Sequence, residues 1–348
     1  MSQRVVRAGD FGFGRVKLTI SGTGEGRTIG LSSFPSVTSI LTRRPVANGG
    51  GVEQADVFHV PMGSGITYVC GKDVEATIDS RSSRTLDPAF PMSDSYLALA
   101  RAAMAYMNAS HIHTLVVGLP NTTLNTYRDS VVQRFTGKHT VYRPTGSHPE
   151  GCPITIQVDS VVCIAQPVGG YLDFAGSLTD QSQLANRQNL LIDVGYFTLD
   201  WVVARGMRVI DARSGAVEGG MSYCLSGMLE VVEGMLNKTI NHPELIDSAL
   251  CAGRDPEFYG KQIGMESLRP TGNARAESLL RKLVDKVGDA ADISQVILSG
   301  GGAYFFKEVV QAKFPDHSVL VSPNAAFANV RGFQRFGEKI SAGLSKRK

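Results

Sequence analysis

At 348 residues the chain is longer than one ordinary hydrophobic core supports, so two domains, or one domain of two lobes, is the starting expectation. A hydrophobic share of 43%, a charged share of 19% and a net charge of +3 describe a soluble globular chain with no call for direct nucleic-acid binding, and the basic end SKRK (345–348) reads as a solvated tail. No window approaches the ~20 apolar residues of a membrane span, and Asp10 interrupts the N-terminus before any apolar signal segment forms, which makes the cytoplasm the expected compartment and a membrane partner unexpected.

The first element is a strand broken by glycines. Residues 9–19, GDFGFGRVKLT, set Asp10, Gly12, Phe13, Gly14 and Lys17 between two apolar runs. Glycine there serves either a hairpin turn that needs positive φ or the close approach of backbone N–H groups to a guest such as phosphate. Residues 21–92 have a different texture, with NGGG at 48–51, GSG at 63–65 and short β-like runs such as ITYVCG, and read as a small irregular insertion. SDSYLALARAAMAYMN (93–108) predicts a helix with Ser and Asp at its start, and HTLVVGLP (113–120) predicts a buried strand that stops at a turn. NLLIDVGYFTLDWVVARG (189–206) predicts two strands around a second Asp-x-Gly turn, at Asp193 and Gly195. VEGGMSYCLSGMLEVVEGML (217–236) opens on Gly219 and Gly220 and continues as a helix whose methionines face a core; AESLLRKLVDKVGD (276–289) predicts another. SQVILSGGGA (294–303) reads as a strand halted by Gly300, Gly301 and Gly302, with Tyr304, Phe305 and Phe306 behind it as packing residues. Strands alternating with helices point to an α/β architecture.

Cys70, Cys152, Cys163, Cys224 and Cys251 are scattered and odd in number, which fits reduced core thiols rather than a disulfide framework. His111 and His113 face the same way on a strand, but no third ligand stands near them in sequence, so no zinc site is expected.

GDFGFGRVKLTI and IDVGYFTLDWVV repeat one pattern of strand, Asp-x-Gly turn and strand. Two copies imply two similar lobes, each with one glycine hairpin. Hairpins facing across a cleft would grip a triphosphate through their amides, with Asp10 and Asp193 holding its Mg²⁺ through water. Lys17, seven residues after Asp10, would reach the phosphates as a point charge.

In this order the segments resemble the actin superfamily, and within it the bacterial plasmid-segregation actins of the ParM and StbA type. DFGFGRVK is similar to the first phosphate loop, VCIAQPVGGYLD (162–173) to the first connecting helix, and IDVGYFTLD to the second phosphate loop. ILSGGGA (297–303) resembles the adenosine motif, SPNAAFANVRGF (322–333) the second connecting helix, and the Gly219–Gly220 segment a glycine stretch near the nucleotide. SSFPSV (32–37), YVCGKDV (68–74) and VVGLP (116–120) look like segments of the plasmid-type members. The resemblance implies an actin-like (ribonuclease H-like) duplicated α/β fold with a nucleotide cleft between two lobes. Lobe I would take 1–165 with 325–348, including an insertion over about 21–92, and lobe II 166–324. Gln166 would orient the water that attacks the γ-phosphate; Asp10, Gly12, Phe13, Gly14, Lys17, Asp193, Gly195, Thr198, Gly219, Gly220 and Gly300 to Gly302 would bind nucleotide. Tyr196 and Phe197 stand where many relatives have Gly and Thr, which puts the Thr198 contact in question. The implied activity is ATP hydrolysis, with GTP open as the substrate and Mg²⁺ as cofactor. Head-to-tail association would build an open filament that moves plasmid DNA through a DNA-bound adaptor protein. The competing classes are a non-polymerising or chaperone-like ATPase, a membrane-bound shape filament, and a small-molecule kinase of the same fold, which would need an acceptor pocket for which no motif is seen.

Overall fold

The computed structural model describes residues 4–22, 28–41, 54–63, 65–77 and 86–345, so the NGGG stretch at 48–51 and most of the basic tail lie outside the described residues. The chain divides into two units, 1–179 with 327–348 and 180–326.

In the first unit β1 (Val6–Phe11) and β2 (Arg15–Ser21) form the glycine hairpin, and β3 (Gly30–Pro35) adds to β2 antiparallel. β4 (Ser39–Ile40), β5 (Val57–Pro61), β6 (Thr67–Gly71), α1 (Asp94–Tyr106), β7 (His111–Ile112) and β8 (Thr114–Leu119) follow. Next come α2 (Leu124–Phe135), β9 (Gly137–Thr145), β10 (His148–Val158), β11 (Val161–Ala165) and α3 (Gln166–Ser177). The strands sort into two sheets, ordered β11-β8-β1-β2-β3 and β4-β6-β5-β9-β10-β7. β8 is buried at every residue and parallel to both neighbours, as its unbroken Val/Leu run requires. α1 starts where expected because Ser93 Oγ accepts from the Tyr96 amide at 3.1 Å. The insertion expected over 21–92 does not fold by itself: β5 pairs with β9, His59 against Tyr142, so the second sheet is completed by residues 137–158.

α3 belongs to this first unit, although residue 166 was expected to open the second lobe. Its partner is the C-terminal helix (Ala328–Ser345), and the two approach closely through Gly169 and Gly332, where any Cβ would collide with the opposing backbone. Asp173 of α3, buried, accepts from Arg331 Nε at 2.9 and 3.0 Å and pairs with Arg331 Nη2 at 2.5 Å, a charge-assisted clamp that fixes their register.

The second unit contains β12 (Gln188–Val194), β13 (Thr198–Arg205), β14 (Arg208–Val209), β15 (Gly215–Glu218), α4 (Gly220–Leu236) and α5 (Pro243–Ala252). It continues with β16 (Glu257–Phe258), β17 (Lys261–Gln262), α6 (Met265–Val287), β18 (Ile293–Ser299), α7 (Ala303–Lys313) and β19 (Val319–Val321). Its main sheet runs β14-β13-β12-β18-β19, with β15 also on β13. α6 begins eleven residues before the expected 276, because Asp255 Oδ1 accepts from the Met265 amide at 2.8 Å and starts the helix ahead of Pro270. A proline in the second turn removes one hydrogen bond and hides the helical signal without preventing the helix.

The two main sheets share one connectivity. In each, an antiparallel hairpin is flanked on its first strand by two successive parallel strands: β8 and β11 beside β1, and β18 and β19 beside β12. The fold is thus a duplication at the level of strand order, as the repeated Asp-x-Gly pattern anticipates.

Cys70, Cys163 and Cys224 are buried, and burial pushes the thiols of Cys163 and Cys224 up to about 12. Cys152 and Cys251 are exposed and outside any disulfide, against the expectation of five core cysteines; each sits on the outward side of its element. Tyr304 is likewise exposed rather than packed, while Phe306 is fully buried. His139 is a buried imidazole whose Nε2 bonds the Phe135 carbonyl at 2.9 Å, and desolvation lowers its pKa from 6.5. A lowered folded-state pKa in histidine means that the unfolded chain takes up the proton first, so stability falls as pH drops below about 6.5. A His139→Gln variant is expected to flatten the decline of the thermal midpoint between pH 7 and 5, and an unchanged slope would remove His139 as its source.

Candidate functional site

The hairpin of the first unit is built around a buried carboxylate. Antiparallel pairing sets Asp10 opposite Lys17 on β2, and Lys17 Nζ lies 3.2 Å from Asp10 Oδ2. Gln166, the first residue of α3, donates from Nε2 to Asp10 Oδ1 at 2.9 Å. Gly118 at the end of β8 makes room for this side chain, since a Cβ there would touch Gln166 Cγ and Phe333. Asp10, Lys17 and Gln166, which lie 156 positions apart at the extremes, therefore form one hydrogen-bonded group. Gly12 does not adopt the left-handed φ that a tight turn demands of glycine, and only the Arg15 carbonyl, at 3.3 Å, approaches the place of its missing Cβ. Turn handedness does not explain it; the Arg15 carbonyl leaves little room for a side chain there. Phe13 is buried with its ring 5.3 Å from that of Phe90, so its side chain serves packing.

The hairpin of the second unit repeats the register. Asp193 stands opposite Asp200, again at an interval of seven, but the partner is a second carboxylate where the first hairpin has lysine. Asp10, Asp193 and Asp200 are 2%, 4% and 1% exposed, which is deep for acidic side chains. Ser299, closing β18, points its Oγ at Asp193 Oδ1 from 3.4 Å. Gly300 follows with φ +87°, and a side chain there would strike Val194 and Asp193, so this glycine is needed to turn the chain past the carboxylate. Gly302 is hemmed in by Met221 and Val194, whereas nothing lies within 4 Å of where a Cβ on Gly301 would stand. Of the three glycines, Gly301 is the one the fold does not demand.

Gly219 and Gly220 do something other than expected. Their amides donate to the Phe197 carbonyl at 2.6 and 3.1 Å, and those of Met221 and Ser222 donate to Gly195 and Tyr196 at 3.0 and 2.7 Å. The mouth of α4 is consumed in holding the 195–197 loop and presents none of these four amides to a guest. Tyr196 packs against the core of the second unit, which relieves the crowding its size implied, and Thr198 is buried at the start of β13. Asp200 was missed by sequence reasoning, although its interval from Asp193 equals that of Lys17 from Asp10. A recess of about 480 Å³ lies at the opposite end of the β12–β13 hairpin, lined by Leu184, Ala185 and residues 205–208, and takes no part in this chemistry.

Chemically, the first unit offers a carboxylate held by an ammonium and an amide, and the second a carboxylate pair beside bare backbone. Buried carboxylate oxygens are the donors that Mg²⁺ prefers, and the ion often keeps water between itself and them. The residues present in each unit therefore fit a magnesium-bound phosphate compound, with Asp10 in the first unit and Asp193 with Asp200 in the second as carboxylates that would suit the metal. Among the described residues no helix is long and apolar enough to cross a membrane.

Two family models match the chain. Residues 8–169 match "Actin like proteins N terminal domain", and residues 191–312 match "Archaeal actin homologue MreB-like, C-terminal". No curated protein matches in sequence. Among solved structures, an archaeal actin homologue, Ta0583, in complex with ADP is 17% identical with a TM-score of 0.73, covering 96% of this chain and 99% of that one. The apo ParM protein of pSK41 is 18% identical with a TM-score of 0.68, covering 99% and 100%. A 15-stranded ParM filament from Clostridium botulinum is 15% identical with a TM-score of 0.73, covering 97% and 99%. At such identities the likeness is one of fold.

Proposed function

The chain belongs to the actin-like proteins, its two parts matching their N-terminal and C-terminal models in order, and from that premise we propose that it is a nucleotide-driven filament protein of the plasmid-segregating kind. The observation that carries the reading is the repeated hairpin register: Asp10 opposite Lys17 in one unit, Asp193 opposite Asp200 in the other. Each hairpin is a phosphate loop for Mg²⁺-nucleotide, ATP before GTP. Lys17 neutralises phosphate charge, the carboxylates hold the metal through water, and the backbone at Gly12, Gly14 and Gly195 approaches the phosphates. Gly301 offers a bare surface to the base. Mg²⁺ supplies charge neutralisation on the phosphates when bound.

Gln166 turns from Asp10 to align the attacking water, a task that needs geometry rather than a strong base. The subunit then associates head to tail with copies of itself, and hydrolysis weakens those contacts. Cargo DNA is reached through a DNA-binding adaptor in the cytoplasm, since the chain's net charge of +3 provides no strong field for DNA. That one relative is named as a ParM filament and another as an ADP complex supports this choice within the fold.

The test is light scattering with negative-stain microscopy. On addition of Mg²⁺ and ATP, scattering is expected to rise above a threshold protein concentration and fall as ATP is spent. Phosphate release without any scattering over a broad range of salt would make it a non-polymerising ATPase. Turnover only in the presence of a small hydroxyl acceptor would make it a kinase.

A further inference from the structure

We propose that His111, His113 and Asp159 form a surface site for a divalent transition-metal ion of the Zn²⁺ or Co²⁺ type. In sequence the His-x-His pair lacks a third ligand; the fold supplies it. β7 pairs in parallel with the end of β10, His111 beside Gln157 and Ile112 beside Val158, so Asp159 emerges next to the pair. One ligand atom from each of the three side chains lies within 4.8 Å of the other two. His111 Nε2 and Asp159 Oδ2 are 2.8 Å apart, and the imidazoles stack with centroids at 4.3 Å and planes 23° apart.

The donor set selects the class of ion. Two imidazoles and a carboxylate suit zinc and its neighbours in the first transition row, whereas Mg²⁺ and Ca²⁺ take oxygen ligands. Tetrahedral zinc with bonds of about 2.0–2.1 Å holds its ligand atoms about 3.3 Å apart, so loading asks for a modest contraction of side chains. His111 and Asp159 are exposed and free to make it, and the fourth position is left to water.

One interaction opposes loading. The Val5 amide donates to His113 Nδ1 at 3.0 Å. A metal on Nε2 leaves the proton on Nδ1, and a metal on Nδ1 displaces the amide directly, so either way the hydrogen bond is lost. Its net worth corresponds to about tenfold in affinity, against the several orders of magnitude that three ligands together contribute. The competition also provides a local reporter, since the Val5 amide must change its environment when metal binds.

The experiment uses the full chain without a histidine tag, nucleotide or Mg²⁺. Co²⁺ is titrated by visible absorption and Zn²⁺ by calorimetry. A single saturable site is expected, in which Zn²⁺ displaces Co²⁺ and the Val5 amide resonance shifts in step with occupancy. His111→Ala and Asp159→Ala are each expected to weaken binding about tenfold or more, and the double variant His111→Ala, His113→Ala to abolish it. His111 and Asp159 are exposed and His113 is half-buried, and circular dichroism verifies that each variant folds. No saturation below millimolar metal, unchanged affinity in the double variant, or a Val5 resonance that ignores the metal would each overturn the proposal. Because the site lies apart from Asp10 and Gln166 in the fold, these outcomes leave the nucleotide reading untouched.

Discussion

Replacing Gln166 by alanine is expected to slow nucleotide hydrolysis on the order of 100-fold, about 2.7 kcal/mol in the barrier, while ATP still binds and filaments outlast those of the parent. The magnitude follows from removing one positioned group that aligns water, with the electrostatic environment of the phosphates left in place. A second consequence of the same change must be separated from it. Gln166 Nε2 donates to Asp10 at 2.9 Å, so alanine also deprives a buried carboxylate of that donor while Lys17 stays beside it. If water alignment is the role, the turnover rate falls and the dissociation constant for ATP hardly moves. If Gln166 acts instead by holding Asp10, affinity falls with the rate, and the catalytic assignment is lost. Single-turnover hydrolysis beside equilibrium nucleotide titration separates the two.

Local patterns in the sequence carried the hairpins, because their information is local. Asp10 and Lys17 face each other across a loop of three residues, and apolar alternation on either side is visible in twelve letters. The same holds for α1, with Ser93 at its head, and for β8, whose six apolar or small residues need no partner to be recognised. What depended on distant pairing stayed hidden. Nothing near residue 59 announces Tyr142 as its neighbour, so the second sheet looked like an irregular insertion. Asp159 joins His111 only through the parallel pairing of β7 with β10. α3 stays with the C-terminal helix because Gly169 and Gly332 permit contact and Asp173 binds Arg331, and neither fact is local. In the candidate site, Asp10, Gln166 and Asp193 were legible as residue types in a family pattern. That Gly219 and Gly220 hold the 195–197 loop was not, since a glycine pair before a helix looks the same whether its amides face a ligand or a neighbouring carbonyl.

The carboxylate pair of the second hairpin leads to the other large effect. In an antiparallel pair, directly opposed residues have Cβ atoms about 4.5–5.5 Å apart, and like charges so placed oppose each other, the more so where water is excluded. Asp193 and Asp200 occupy such positions almost without exposure. A divalent cation held by the pair would offset that opposition in the bound state. Asp193→Asn keeps the shape and an oxygen for Ser299 while removing one charge, so the ligand-free variant is expected to melt at the parent temperature or above it. For the parent, Mg²⁺-ATP at about a hundredfold excess over its dissociation constant adds on the order of 2.7 kcal/mol of stability, a shift readily seen by calorimetry. The variant is expected to show almost none of it. A variant that melted lower without ligand would mark Asp193 as a structural group, and one that kept the whole ligand shift would place the metal elsewhere; the joint result of unimpaired folding and vanished Mg²⁺-ATP stabilisation is the one expected of a metal-holding carboxylate.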